Sequence, residues 1–128
     1  MGDENTKILL VDDDGFVREM LGMILEAHGY EVVTAEDGTE ALSKLAGDNG
    51  FKLVVSDMNM PKTNGLELVR EVRKNGNTVP IIILSAFGER DILDEAMTCG
   101  ATDYVVKDEK IQDKIIEVIT KALKQAVT

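Results

Sequence analysis

Acidic, hydroxyl and cationic residues directly follow four short apolar runs in this sequence. The acidic pair Asp12 and Asp13 follows the first run, Asp57 the second, Ser85 the third and Lys107 the fourth. Carboxylates that crowd together repel one another, and a hard cation such as Mg²⁺ relieves the repulsion while keeping coordination positions for water and phosphate oxygens. A carboxylate is also a nucleophile toward phosphorus, with which it forms an acyl phosphate. These residue types predict metal-assisted phosphoryl chemistry, provided that the fold brings them together.

Lys107 and Ser85 have complementary roles in that chemistry. A transferring phosphoryl group needs positive charge beside its oxygens, which Lys107 and the metal ion would supply. Ser85 would donate a hydrogen bond to a phosphoryl oxygen once the group arrives. Asp14 instead fits the N-cap of the following helix, where a short carboxylate accepts from free backbone N–H groups.

The apolar runs indicate five strands, at 8–11, 30–35, 53–55, 81–84 and 103–106. The first, third and fourth are unbroken and β-branched, which is typical of strands buried on both faces of a sheet. The second and fifth are more mixed, as edge strands tend to be. Parallel strands all end at one edge of an open sheet, and ligands bind there at the point where the strand order reverses. The polar residues are therefore expected to converge on a single cleft.

Stretches with helical periodicity separate the strands, so the pattern is a strand–helix unit repeated five times. It predicts a parallel sheet with helices on both faces. Glycines at positions 29, 50, 76 and 100 stand where helices are expected to end. The apolar face of the last helix is expected to contain Ile111, Ile115, Ile119, Leu123 and Ala126.

Composition limits the classes of function. The 128 residues predict a single domain over 1–128, and the formal net charge of −10 argues against direct nucleic-acid binding, which requires a basic face. No apolar run approaches the roughly 20 residues that a membrane span requires. The N-terminus is short and polar, and the single cysteine, Cys99, excludes an internal disulfide. We expect a cytoplasmic protein that does not associate with membranes.

Five motifs stand in order at the predicted strand ends. They are Leu-Val-Asp-Asp-Asp at 10–14, Val-Val-Ser-Asp-Met-Asn-Met-Pro at 54–61, Gly65, Leu-Ser-Ala at 84–86, and 100–107 from Gly-Ala to Tyr-Val-Val-Lys. At these residues the chain resembles the receiver domains of bacterial two-component response regulators, and the resemblance covers essentially the whole chain. It implies a flavodoxin-like (βα)5 fold of the α/β class, a doubly wound sheet of five parallel strands in the order 2-1-3-4-5.

The resemblance also implies a function and a metal site. A receiver domain is a phosphorylation-dependent switch in phosphorelay signal transduction; it is not an enzyme, although it assists its own phosphotransfer and autodephosphorylation. Asp57 corresponds to the phosphoacceptor, and Asp12 and Asp13 to the acidic pair beside it. The implied cofactor is Mg²⁺, held by Asp13, Asp57 and the main-chain carbonyl of Asn59, with Asp12 supporting through water.

The other family positions concern the phosphoryl group and the output. Ser85 corresponds to the hydroxyl that senses the phosphoryl group, Lys107 to its ion-pair partner, and Tyr104 to the switch residue whose rotamer reports the state. Phe87 and Asn59 are expected to set the lifetime of the acyl phosphate. The implied donor is a sensor histidine kinase or a histidine phosphotransfer protein, or a small phosphodonor. A downstream protein target would bind the surface of the fourth helix, fifth strand and fifth helix of a monomer or weak homodimer.

Two positions depart from the family pattern. The family usually has a proline, often after a cis peptide bond, where this chain has Asp108. A cis bond before a non-proline residue costs about 2.5–4 kcal/mol, so we expect a different loop there, with a carboxylate that competes for Lys107. Thr63 stands where the family often has a bulky apolar residue.

Other functions fit parts of the pattern. Asp12 and Asp14 form the Asp-x-Asp of haloacid-dehalogenase-type phosphatases, but that function leaves Asp57 unexplained and the chain carries no cap insertion. A flavodoxin-like electron carrier is disfavoured by the acidic turn after the first strand, where a flavin phosphate requires Ser, Thr and Gly. The pattern favours a stand-alone regulator over a fragment of a longer protein, and both remain open.

Overall fold

Strands and helices alternate along the chain in the computed structural model, which describes residues 6–60, 62–86 and 89–127. The strands are β1 (Lys7–Val11), β2 (Glu31–Ala35), β3 (Phe51–Asp57), β4 (Ile81–Ser85) and β5 (Asp103–Val106). The helices are α1 (Gly15–Ala27), α2 (Gly38–Gly47), α3 (Gly65–Lys74), α4 (Arg90–Thr98) and α5 (Ile111–Val127). None of these helices is long and apolar enough to cross a membrane.

The strands form one parallel sheet in the order β2-β1-β3-β4-β5, which confirms the predicted fold. The unbroken apolar runs are its central strands, and the two mixed runs are its edges. In the register of β3, β4 and β5, Asp57 pairs with Leu84, and Ser85 pairs with Val106. The carboxyl ends of β3, β4 and β5 are therefore level with one another.

Side chains that alternate along each strand supply two separate cores. Leu9 and Val11 point to the face that α2, α3 and α4 cover, whereas Ile8 and Leu10 point to the face that α1 and α5 cover. This division follows from the two-residue period of a strand. The predicted apolar face of α5 is correct except at its end, where Ala122 is buried and Ala126 is exposed.

Side chains and glycines at the helix ends fix where the helices begin and end, and α1 and α3 begin after the carboxyl ends of β1 and β3. The Asp14 side chain caps α1, as predicted, by accepting from Phe16 N at 2.9 Å and from Val17 N at 3.3 Å. Asn64 and Glu67 form a reciprocal capping box at the start of α3. The glycines at 29, 76 and 100 follow helices with positive φ angles, as expected. Gly50 does not, because α2 already ends at Gly47.

Candidate functional site

Three of the residues singled out by sequence meet where β1, β3 and β5 end. The Lys107 ammonium lies 3.0 Å from Asp12 Oδ2 and 3.0 Å from Asp57 Oδ1. Asp12 is fully buried and Asp57 nearly so, while the Lys107 side chain keeps 23% of its surface exposed. These three side chains therefore converge at the carboxyl edge of the sheet, with one cation shared between two buried carboxylates.

Backbone and side-chain donors hold Asp12 in a fixed orientation. Its Oδ1 accepts from Asp14 N at 2.9 Å and its Oδ2 accepts from Lys107 at 3.0 Å. Its main-chain oxygen also accepts a 2.7 Å hydrogen bond from the Arg18 guanidinium. Both carboxylate oxygens of Asp12 are thus engaged, which suits a supporting carboxylate better than a nucleophile. The Arg18 contact was not anticipated from sequence, since nothing in a helical arginine indicates which carbonyl it will reach.

Burial dominates the electrostatics of Asp57. Burial, together with the smaller effects of the charges of Asp12 and Asp13, raises the pKa of this carboxyl to about 6, against the opposing hydrogen bond from Lys107. Burial lowers the pKa of Lys107, but the hydrogen bonds to Asp57 and Asp12 and the charges of these two residues together outweigh burial and leave that pKa raised. The site therefore holds a protonated lysine beside a carboxylate whose negative charge is incompletely balanced.

The acidic residues of the cleft fit a hard divalent cation. Asp12, Asp13 and Asp57 each offer a carboxylate oxygen, and these oxygens lie within 4.8 Å of one another. Asp13 is exposed whereas the other two are buried, so the group opens toward solvent on one side. All three donors are carboxylate oxygens, which Mg²⁺ prefers over softer ligands. The residues present thus fit the ion that the sequence predicts.

The remaining predicted residues lie around this centre. Ser85 is buried at the end of β4, and its carbonyl accepts from Lys107 N at 2.8 Å. Tyr104 lies on the edge strand β5 with 40% of its surface exposed. Asn59 is exposed two residues after Asp57, and its side-chain amide donates to a Glu89 carboxylate oxygen. The Asn59–Glu89 contact was also missed, because it depends on how two loops approach each other.

The two departures from the family pattern have local structural roles. Asp108 does not reach Lys107; its Oδ1 accepts from Lys110 N at 2.8 Å and its Oδ2 pairs with Lys114 at 3.1 Å. The prediction that Asp108 competes for Lys107 is therefore wrong, because the Asp108 carboxylate binds Lys110 N and Lys114 in the turn before α5. Thr63 packs against the start of α2, where a Cβ on Gly38 would lie 2.5 Å from the Thr63 carbonyl. Pro61 of the third-strand motif and Phe87, expected to affect the acyl phosphate, lie outside the described residues.

Comparison with known proteins identifies the class of this fold and site. Residues 8–120 match the sequence model of a protein family, the response regulator receiver domain. The chain belongs to this family. It is a receiver domain of the two-component response regulators, whose members are signalling proteins.

Individual relatives agree with this assignment. Chemotaxis protein CheY of Treponema pallidum (strain Nichols) is 36% identical over 122 residues, which are 92% of this chain and 83% of that protein. A transcriptional regulatory protein CpxR homolog of Haemophilus influenzae is 44% identical over 102 residues, 80% of this chain. This chain spans only 44% of that relative's length. A crystal structure of a response regulator receiver domain protein from Clostridium thermocellum superimposes with a TM-score of 0.87 at 34% identity, covering 94% of this chain and 96% of that one.

Proposed function

We propose that this domain is a phosphorylation switch that accepts a phosphoryl group on Asp57. The observation that carries the proposal is the environment of this carboxylate. It is buried at the end of a central strand, faces two further carboxylates, and is held by a single lysine. Such a carboxylate is preorganised to attack phosphorus, and the cation beside it is placed to stabilise negative charge on the transferred group.

The transfer requires few parts from the protein. A carboxylate oxygen of Asp57 forms a bond to phosphorus while the bond from phosphorus to the leaving group breaks, and the leaving group departs with the electron pair. Lys107, 3.0 Å from Asp57, shifts toward the phosphoryl oxygens, and the Ser85 hydroxyl donates to one of them. Asp12 keeps Lys107 charged and in place. Water later attacks phosphorus, the bond from phosphorus to the Asp57 oxygen breaks, and inorganic phosphate leaves while the Asp57 carboxylate is regenerated.

Mg²⁺ is the cofactor that we infer for this site. The ligands would be the carboxylates of Asp13 and Asp57 and the main-chain carbonyl of Asn59, with Asp12 supporting through water. When bound, the ion supplies positive charge that balances the carboxylates and the incoming phosphoryl oxygens. Asp13 is the most accessible member of the acidic group, which makes it the best single position for testing metal binding.

The partners follow from this chemistry. The donor would be a sensor histidine kinase or a histidine phosphotransfer protein in the cytoplasm, and the output a downstream protein bound by the surface of α4, β5 and α5. We infer that residues 1–128 act as a single receiver domain, monomeric or weakly dimeric. A net charge of −10 opposes direct nucleic-acid binding by the domain itself, although one relative is named as a transcriptional regulatory protein.

Incubation with acetyl phosphate and Mg²⁺, followed by intact mass measurement, tests the assignment of Asp57. We expect one phosphoryl adduct on the wild type, none on Asp57→Asn, and none when the divalent ion is chelated. Asp13→Asn removes one charge from the ligand set and should require clearly more Mg²⁺ for the same yield. An adduct of normal yield on Asp57→Asn would show that another side chain is the acceptor.

A further inference from the structure

Glu89 immediately precedes α4, yet its carboxylate does not cap that helix. Instead, its Oε1 accepts a 2.7 Å hydrogen bond from Ala86 N, and its Oε2 accepts from the side-chain amide of Asn59. The carboxylate therefore joins the loop after β4 to the loop after β3. Glu89 is partly exposed, whereas Asn59 and Ala86 are exposed, so this bridge lies at the solvent-accessible rim of the site.

The bridge lies beside the proposed phosphoacceptor. Asn59 is two residues beyond Asp57, and Ala86 directly follows Ser85, the last residue of β4. The two strands are paired up to Asp57 and Leu84, and Met58 N donates to Leu84 O at 2.9 Å. Ala86 N–H is the first backbone donor beyond the end of β4, one residue after Ser85. An anion at the carboxyl end of β3 is stabilised by N–H donors of this kind. In this structure Ala86 N–H and the Asn59 amide donate to Glu89 instead.

We propose that the Glu89 carboxylate is an internal competitor of the phosphoryl group, which must displace it from Ala86 N–H and the Asn59 amide. The inference rests on the proposed phosphorylation of Asp57. An acyl phosphate carries strong acceptor oxygens and about −1.5 to −2 charges, so it repels a carboxylate at the rim while competing for the same donors. The unphosphorylated state is thereby favoured, and phosphorylation is slowed.

Displacement of Glu89 also connects the cleft to α4. Once released, the carboxylate is one residue from the free N–H groups of the first turn of α4, which attract negative charge. Its move from Ala86 N–H to these groups would change the start of α4 on phosphorylation. Glu89 is thus a positioning residue that links the acceptor loop to this helix.

Phosphorylation rates of two Glu89 variants test the proposal. With acetyl phosphate and Mg²⁺, Glu89→Ala should be phosphorylated about three to ten times faster than the wild type, because hydrogen bonds to charged groups are worth more than neutral ones and this pair is partly screened by solvent. Glu89→Gln keeps an acceptor oxygen but loses the charge, so its rate should lie between the two. Asp91→Asn is the matched control. Asp91 is an exposed acid in the first turn of α4, and this substitution removes the same charge as Glu89→Gln.

Amide NMR supplies a readout that a purely structural role would not change. Beryllofluoride should shift the Ala86 amide and the first turn of α4 in the wild type. In Glu89→Ala the Ala86 amide loses its acceptor and shifts for that reason alone, so the decisive change is a smaller response of the first turn of α4 to beryllofluoride. Wild-type rates in both Glu89 variants, alongside a normal adduct on wild-type Asp57, would overturn this inference alone. A wild type that takes up no phosphoryl group would overturn the proposed function as well.

Discussion

Asp57 is held in the fold with part of its charge uncompensated. Burial raises its pKa from 3.8 to about 6, even though Lys107 lies 3.0 Å away. A buried carboxylate of this kind favours its protonated form in the folded chain, so its ionised form reduces stability at neutral pH. The residue that performs the proposed chemistry is thus expected to destabilise the fold when no metal is bound.

Asp57→Asn should therefore stabilise the metal-free protein at pH 7. The pKa of the Asp57 carboxyl is 3.8 in the unfolded chain and about 6 in the folded chain. Between these pH values the carboxyl is therefore protonated in the folded chain and ionised in the unfolded one. The stability that protonated Asp57 contributes is fully present below pH 3.8 and is lost as the pH rises through the folded pKa of about 6. We expect a gain of roughly 1–3 kcal/mol at pH 7 and little gain at pH 4, measured by urea unfolding in EDTA.

Two comparisons separate this effect from general charge repulsion. Asp91→Asn removes the same charge from an exposed position and should change the free energy of unfolding at pH 7 by less than Asp57→Asn. Adding Mg²⁺ should stabilise the wild type but not Asp57→Asn, because only the wild type keeps the full ligand set. Equal stabilities of wild type and Asp57→Asn at pH 7 would contradict the raised pKa.

At the residue scale, the sequence predicts side chains whose positions follow from strand ends. Asp12, Asp57 and Lys107 could be brought together from sequence alone because each stands at the carboxyl end of a predicted strand. Glu89 could not be assigned a role, because its contact depends on the shapes of two loops rather than on their order. Asp108 was assigned the wrong partner for the same reason, since the turn before α5 places Lys114 closer to it than Lys107.

At the scale of elements, the start of α3 is pressed against the end of β3. A Cβ added to Gly65 would lie 2.8 Å from the Asp57 carbonyl oxygen and 2.9 Å from Met58 Cα. Gly65 N also donates to Met58 O at 2.9 Å. These neighbours are backbone atoms of Asp57 and Met58, which cannot move without displacing the Asp57 side chain. The glycine is needed here for space, since its φ is not positive.

Gly65→Ala should therefore lower both stability and phosphorylation. We expect a loss of roughly 1–3 kcal/mol in the free energy of unfolding, as for overpacked sites, and a slower reaction with acetyl phosphate because Asp57 is displaced. Gly47→Ala is the matched control. A Cβ at Gly47, in the last turn of α2, meets nothing within 4 Å, so this change should be neutral or stabilise by up to about 1 kcal/mol. A Gly65→Ala protein as stable and reactive as Gly47→Ala would contradict the close contact.

Element order and pairing were predictable because periodicity reports burial directly. The continuous apolar runs became central strands, and the mixed ones became edges. The residues at which helices end were harder to predict, since several neighbouring residues can each end a helix. Gly50 suggested the end of α2, but the helix stops at Gly47, and Asp48 instead pairs with Lys7 at 2.5 Å and accepts from Gly50 N.

At the scale of the whole molecule, the sheet register places Ser85 and Tyr104 on the same face. Ile83 pairs with Tyr104, and Ser85 lies two residues after Ile83, so all three side chains point to the side covered by α4. Ser85 lies at the cleft end of this row, and Tyr104 lies at the exposed edge. A movement of Ser85 toward a phosphoryl group on Asp57 would thus open space next to Tyr104.

Beryllofluoride, a mimic of the phosphoryl group, should therefore shift amides in the cleft and also those of Tyr104 and α4. The Ser85 hydroxyl gains a hydrogen bond to a charged group, worth about 1.5–3 kcal/mol, which moves a two-state equilibrium roughly ten- to a hundredfold. Ser85→Ala removes that hydrogen bond but leaves Asp57 and Lys107 in place. It should retain the shifts around Asp57 and lose most of those at Tyr104. Wild-type shifts confined to the cleft, with Tyr104 and α4 unchanged, would mean that the domain signals through another surface.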